Sequence, residues 1–399
     1  LKIIDGIPVW GEHDEGTLNQ IRNCAKTATH AALMADGHRG YSVPIGGVVA
    51  YRDHISPSGV GYDIGCGNKA VLTDMPGRIL RDRIKTIMDD VWSAIAFGIG
   101  RKNAEPVDHP LFESQIWTLP MLAPLKKMAE DQLGTVGSGN HYVDLFTDEL
   151  DRVWIGVHFG SRGLGHKTAT WFLEKAGAKD GMDVEPCVIP AASYLGQDYI
   201  GAMFLAGEYA YAGRNWVCQK VANILGAKIL DSVHNHHNYA WRENHGGEDL
   251  WVVRKGATPA FPGQRGFVGG SMGEQSVILE GVAAEPEEPK KYDYSTKYKQ
   301  KMALFSTVHG AGRRMGRMEA KGKFKHGVML RAPKVTQEMM DGWTKGIELR
   351  GAGVDESPDC YKRLPEVLNE HKDSVRILHT LTPVGVAMAG KNEFDPYKD

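Results

Sequence analysis

The sequence predicts an α+β protein. Two observations carry this. Helix-type and strand-type stretches are interspersed without regular β-α-β alternation. From Gly37 to Gly67 the chain is dense in glycine and short apolar runs, such as Pro44-Ile45-Gly46-Gly47-Val48-Val49-Ala50. Such runs read as short buried strands joined by tight turns.

The elements follow in order. Leu18, Ile21, Ala25, Ala28 and Ala32 recur at spacings of three and four, which predicts a helix over 17–34 with Thr17 as its cap. The glycine-rich strands come next, then a helix over 79–98. Strands are expected at 142–146 and 153–159, followed by a helix from Lys167 to Ala176. A long helix is expected from Tyr199 to Leu225. Further strands are expected at 250–254, 276–279 and 375–381. Residues 283–300 begin with Ala283-Ala284-Glu285-Pro286-Glu287-Glu288-Pro289 and continue rich in Lys and Tyr. They read as an exposed insertion loop. The chain shows no internal repeat.

Composition narrows the function. Hydrophobic residues make up 42% and charged residues 24%, an ordinary soluble balance. No apolar run approaches the ~20 residues of a membrane helix. The first residues carry no signal-peptide pattern. The five cysteines are scattered and never form a C-x-x-C pair. This argues against a disulfide scaffold and for a reducing, cytoplasmic setting. The formal charge of −2 excludes a protein that coats nucleic acid by charge alone. Nucleic-acid binding would need a local patch, and Arg313, Arg314, Arg317, Lys321, Lys323 and Lys325 form either such a patch or an ordinary solvated face.

The chemistry-bearing residues sit in glycine-rich turns. Val60-Gly61-Tyr62-Asp63-Ile64-Gly65-Cys66-Gly67-Asn68 brings a carboxylate and a thiol onto one tight loop. Glycine permits backbone angles that other residues resist, so both side chains can turn toward one ion. With imidazoles such as His158, at a strand's end, the set is complete for a transition metal. Thiolate and imidazole favour zinc; the carboxylate leaves manganese or iron open. His309-Gly310-Ala311-Gly312-Arg313-Arg314 reads in two ways: as an anion-binding backbone concavity with paired arginines and a histidine that could attack phosphorus, or as a capped helix start with a solvated basic face. Gly269-Gly270-Ser271-Met272-Gly273, with Ser276, suits phosphate or ribose contacts. Arg162 and Lys255 are further anion contacts or plain surface charges.

Seven stretches, matching in order across nearly the whole chain, resemble the RtcB family of RNA-splicing ligases. They are Asp63-Ile64-Gly65-Cys66-Gly67; Gly137-Ser138-Gly139-Asn140-His141; the run His158 to His166; His236-His237-Asn238-Tyr239; Arg254-Lys255-Gly256-Ala257; Gly270-Ser271-Met272-Gly273; and His309-Gly310-Ala311-Gly312-Arg313. The resemblance implies one large domain over 1–399, with mixed, mainly antiparallel sheets around a central metal cleft and helices outside. It implies a GTP-dependent enzyme that joins an RNA 3′-phosphate or 2′,3′-cyclic phosphate to a 5′-hydroxyl through a histidine–GMP intermediate. It also implies two manganese ions, with zinc compatible: Cys66 bridging, Asp63 and His141 completing one site, His158 and His237 the other. His234 is the alternative to His237.

By the same resemblance His309 takes the GMP. Asn140, Tyr142, Asp144, Ser271, Met272, Ser276, Gly310, Ala311, Gly312 and Tyr361 bind the nucleotide, and Arg162, Lys255 and Arg313 contact RNA or phosphate. An activator protein is a further partner compatible with it. The chain departs from the family's pattern at Asp144, where glutamate is usual, at Val308, where cysteine is common, and at Met388, which stands at a lysine position with Lys391 nearby. A phosphoesterase or a non-ligating RNA-end-binding protein on the same scaffold is the alternative reading.

Overall fold

A computed structural model describes residues 1–179, 181–283, 295–325 and 328–390. Two large sheets organise the chain. The first has six strands in the order Lys2–Ile4, Ile7–Val9, His30–His38, Ile45–Tyr51, Glu248–Lys255 and Asn238–His245. The second runs Ile229–His236, Gly67–Pro76, Arg152–Phe159, Tyr142–Thr147, Val375–Gly390, Ser276–Gly281 and Arg265–Val268, with Glu348–Ala352 beside Val375–Gly390. Nearly all pairings are antiparallel; Val9 against Leu33 and Glu348–Ala352 against Val375–Gly390 are parallel. The second sheet curls almost to closure. Its first and last strands meet where the Phe267 N–H donates to Asn235 Oδ1 at 3.0 Å and Arg265 to the Ser232 carbonyl at 3.2 Å. The α+β class and the mainly antiparallel sheets agree with the sequence reading.

The first helix is shorter than expected. It spans Glu15–Ala25, and Asp14 caps it, accepting from the Thr17 N–H at 3.0 Å. Thr17 lies inside and donates its hydroxyl to the cap. Beyond Ala25 the chain becomes the strand His30–His38, buried throughout Ala31–Gly37. A strand buried on both faces is apolar without alternation, so alanine spacing alone cannot separate it from a helix.

The other helices lie close to expectation. Gly77–Ala94 and Arg162–Lys175 each begin a few residues early. The long helix spans Tyr194–Leu225. Ser193 caps it by accepting from the Gly196 N–H at 3.0 Å, and Gly226, at φ 67°, ends it. It packs on the second sheet, where Val217, Cys218 and Val221 share a core with Val71, Ile155 and Val157. The last strand extends to Gly390 rather than stopping at 381.

The expected insertion loop is only partly a loop. Residues 284–294 lie outside the described residues. Its C-terminal part is a helix, Thr296–Met302, capped by Ser295. Gln300, 2% exposed, donates to the Val282 carbonyl at 2.7 Å, so this part is packed, not solvated.

Candidate active site

A cavity of about 560 Å³ opens between the two sheets and takes lining residues from both. Asp63, Cys66, His141, His158, His237 and His309 all face it.

The turn before Gly67–Pro76 sets Asp63 and Cys66. Gly65 adopts φ 72°, a region closed to most side chains. Glycine is required across the turn as well: a Cβ on Gly160 would lie 2.2 Å from Asp63 Oδ1. The Cys66 carbonyl accepts the His237 N–H at 2.8 Å, which ties the turn to the bend between Ile229–His236 and Asn238–His245. His158 arrives from Arg152–Phe159, paired with Asn68 on one side and Tyr142 on the other.

Two ligand sets result, sharing Cys66. In each set the candidate ligand atoms all lie within 4.8 Å of one another: Asp63, Cys66 and His141 in one, Cys66, His158 and His237 in the other. His141 Nε2 is 3.1 Å from Asp63 Oδ2 and 3.7 Å from Cys66 Sγ. His158 Nε2 is 3.4 Å from Cys66 Sγ and 3.0 Å from His237 Nε2. His234 is placed elsewhere, accepting from Arg214 Nε at 2.8 Å, so the geometry brings His237 to Cys66.

The donor chemistry fits cations. His158 Nδ1 donates to the Asn140 carbonyl at 3.0 Å, and His237 Nδ1 to Asn238 Oδ1 at 3.2 Å. Each ring therefore turns an Nε2 lone pair toward the other. Burial, with neighbouring charge, holds both rings well below the usual imidazole range, so neither takes a second proton. Two lone pairs 3.0 Å apart beside a sulfur repel unless a positive charge lies among them. On the other side, burial would raise the Asp63 carboxyl, but the hydrogen bond and charge of His141 outweigh it and bring it down to about 2. Burial and the Asp63 charge push the Cys66 thiol well up. A metal ion, which binds thiolate, reverses that balance.

Arg214 binds these segments together, and nothing in the sequence reading pointed to it. Its side chain is fully buried in the long helix. It donates to the carbonyls of Gly65 at 2.9 Å and Phe159 at 2.5 Å, and reaches His236 Nδ1 at 3.0 Å. Those residues adjoin Cys66, His158 and His237. One guanidinium thus holds the backbone beside Cys66 and His158 and the side chain beside His237.

His309 lies next to this group, its ring centroid 4.7 Å from that of His237. Asp36 holds it. The Asp36 side chain is fully buried; Oδ2 accepts His309 Nδ1–H at 2.6 Å and the His309 backbone N–H at 2.9 Å. This fixes the tautomer and leaves the Nε2 lone pair available. Asp36 was also missed, although an acid in an apolar, glycine-rich tract, Asp36-Gly37-His38, was a visible signal. Asn68 was missed too; its Nδ2 donates to the Phe267 and His309 carbonyls at 2.9 and 3.3 Å.

Around His309 the cavity wall includes Asn140, Tyr142, Asp144, Ser271, Met272, Gly310, Ala311, Gly312, Arg313 and Tyr361. Gly312 has φ 76°, and a Cβ there would meet the Asp36 carbonyl at 2.0 Å. Ser276 stands behind the wall; its Oγ accepts the Gly270 N–H at 2.9 Å and shapes the turn. Asp144 Oδ1 and the Tyr142 hydroxyl are buried without a hydrogen-bond partner. Burial pushes the Asp144 carboxyl well above the usual carboxylate range. Met388, 4% exposed, lies across from Tyr142 in register. Lys391 lies outside the described residues.

Two expectations change. Lys255 does not line the cavity; its ammonium is buried and donates to the Tyr41 and Ser58 carbonyls at 2.7 and 3.2 Å. Half of the basic tract is tied to acids. Arg313 lies 3.6 Å from Glu356, Arg317 pairs with Glu356 and Asp355, and Lys321 pairs with Asp355 at 3.0 Å. Arg313 also covers one face of Tyr361, its guanidinium carbon 4.8 Å from the ring centroid. Arg162 faces the cavity from a strained φ of 58° and donates to Thr135 Oγ1 and the Gly98 carbonyl.

Comparison with known proteins completes the picture. The family model described as tRNA-splicing ligase RtcB matches residues 17–120 and 118–389. The RNA-splicing ligase RtcB of Escherichia coli K12 is 28% identical, over 95% of this chain and 94% of its own length. The tRNA-splicing ligases RtcB of Thermococcus kodakarensis and Archaeoglobus fulgidus are 29% and 30% identical, over 93% and 89% of this chain and 90% and 86% of their own.

Proposed function

The chain belongs to the RtcB family of tRNA-splicing ligases, and we propose that it is an RNA ligase joining a 3′-phosphate or 2′,3′-cyclic phosphate end to a 5′-hydroxyl end, through GMP carried on His309. The observation that carries this reading is one arrangement. Two ligand sets share the Cys66 sulfur, and an aspartate-oriented imidazole lies 4.7 Å from the nearest ligand ring.

Asp63, Cys66 and His141 would hold one ion and Cys66, His158 and His237 a second. Manganese is what the family resemblance implies, and zinc also suits the donors. Bound there, the ions neutralise charge on phosphoryl oxygens and lower the pKa of a bound hydroxyl.

The protein's own groups do the rest. His309 Nε2 forms a bond to the α-phosphorus of GTP as the bond to pyrophosphate breaks. The ring becomes cationic, and buried Asp36 stabilises it through Nδ1. An oxygen of the RNA 3′-phosphate then takes the GMP from His309. The 5′-hydroxyl attacks the activated RNA phosphorus and GMP leaves; a cyclic end is first opened by water. Asn140 and the backbone of Gly310, Ala311 and Gly312 hold the nucleotide phosphates. Tyr142, Asp144, Ser271, Met272 and Tyr361 surround the guanosine, with Ser276 setting the turn. Arg162 and Arg313 meet RNA or nucleotide phosphate. Among the described residues no helix is long and apolar enough to cross a membrane. The five free cysteines fit the expected cytoplasmic setting.

The test is incubation with manganese and α-labelled GTP. The account expects label on the protein that is lost in His309→Ala, followed by joining of RNA ends. Absence of an adduct with GTP or any other nucleotide removes the ligase reading. Opening of cyclic-phosphate RNA in that case marks a phosphoesterase.

A further inference from the structure

The rings of the site form a row. The centroids of His309 and His237 are 4.7 Å apart, those of His237 and His158 5.2 Å, and those of His158 and His141 5.4 Å. His141 meets Asp63 at 3.1 Å, and Tyr62 precedes Asp63 in the chain. A Cβ on Gly137 would meet both Arg162 Nη1 and His141 Nδ1, so the helix Arg162–Lys175 begins at the His141 end of the row. His166 of that helix meets Tyr62, which also lines the cavity.

That end has a distinct character. The Tyr62 ring is stacked on His166, centroids 5.1 Å apart and planes 20° from parallel. Both rings are half-buried. Ile99, Met128, Arg162 and exposed Lys167 line the same cavity, Met128 against Gly163 at the start of that helix. Among the described residues three carboxylates face the cavity; Glu356 is held by Arg313 and Arg317, and Asp63 by His141. The two ends are therefore dissimilar. One is a glycine cradle with arginines matched by Asp355 and Glu356. The other is a stacked ring pair with cations and apolar side chains.

A strand whose terminal phosphate reaches the Cys66 ligand sets must place its last base somewhere, and the His309 end is needed by the nucleotide. Proteins that hold single strands pair aromatic faces for the bases with cations for the backbone. We propose that Tyr62 and His166 form a stacking subsite for the terminal base of the RNA strand that carries the 3′-phosphate, with Lys167 and Arg162 toward its backbone. Every base has a π face, so the subsite accepts RNA ends without regard to sequence. The inference rests on the ligase reading, and it adds where the first strand lies.

The experiment compares two short oligoribonucleotides with 3′-phosphates on manganese-loaded protein by fluorescence anisotropy. One is intact; the other lacks only the terminal base. The wild-type chain is expected to bind the intact strand roughly 5- to 150-fold more tightly. Tyr62→Ala is expected to bind both alike, and Tyr62→Phe to restore the preference. A wild-type chain indifferent to the base, or a Tyr62→Ala variant that keeps the preference, overturns the subsite. The wild-type comparison needs no variant to fold. Label from α-labelled GTP on wild-type protein is scored separately. A chain that prefers the base yet takes no label keeps the subsite and loses the ligase reading.

Discussion

Replacing Arg214 by methionine should damage the candidate metal site without touching any of its ligands. Its buried guanidinium serves the Gly65 and Phe159 carbonyls, His234 Nε2 and His236 Nδ1. Methionine fills much of the space and offers none of these donors. The Gly65 carbonyl and His236 Nδ1 lie 2.9 Å apart and can pair with each other, and His234 is only half-buried; about two acceptors left unpaired at ~1–3 kcal/mol each would cost ~2–6 kcal/mol. Removing a charge that burial itself disfavours, and that has drawn this guanidinium down to about 10, returns part of the loss. A net destabilisation of about 2–4 kcal/mol is expected. Urea denaturation of the metal-free protein measures it. Because Gly65, Phe159 and His236 each adjoin a candidate ligand, manganese affinity should fall roughly 10- to 100-fold in whatever fraction folds. Arg214→Lys, which keeps the charge but loses the fork, should lie between. A loss below about 1 kcal/mol with unchanged manganese affinity would refute the reasoning.

Two further outcomes are expected. Asp36→Asn keeps the shape beside His309 but cannot stabilise a cationic ring, so labelling of the protein by α-labelled GTP should slow by at least ~100-fold; manganese binding, measured calorimetrically, should persist. Asp148 accepts from Leu150 N, Arg152 N, Arg152 Nε and Trp154 Nε1 at 2.8–3.0 Å. Burial would raise its carboxyl, but Arg152 and Trp154 outweigh it and hold it below the ordinary value. The stabilisation is therefore complete above about pH 4 and is lost as acid protonates the group. In chemical denaturation the wild-type advantage over Asp148→Asn should be constant at neutral pH and shrink below about pH 4.

The site was more legible than the fold's boundaries. Asp63 and Cys66 stood out because a tight glycine turn with a thiol and a carboxylate has few purely structural uses. The strand that follows His141 and the strand bearing His158 announced themselves by β-branched and aromatic residues. What stayed hidden was tertiary. His234 and His237 both precede asparagine, and only the path of Arg214 separates them. Asp36 acts through a partner 273 positions away. The acids that pair with Arg313, Arg317 and Lys321, Asp355 and Glu356, lie outside the basic tract itself. The first part of the strand His30–His38, residues 30–34, reads as helix because alanine fits a doubly buried strand as well as a helix face.

The most direct measurement is the number and coupling of manganese ions on the purified chain, by metal analysis together with low-temperature electron paramagnetic resonance. A sulfur shared between two ligand sets predicts two ions per chain with an exchange-coupled signal. Cys66→Ala should abolish that coupling, and His237→Ala should leave a single uncoupled ion. One ion per wild-type chain, or a coupled pair that survives Cys66→Ala, would contradict the account.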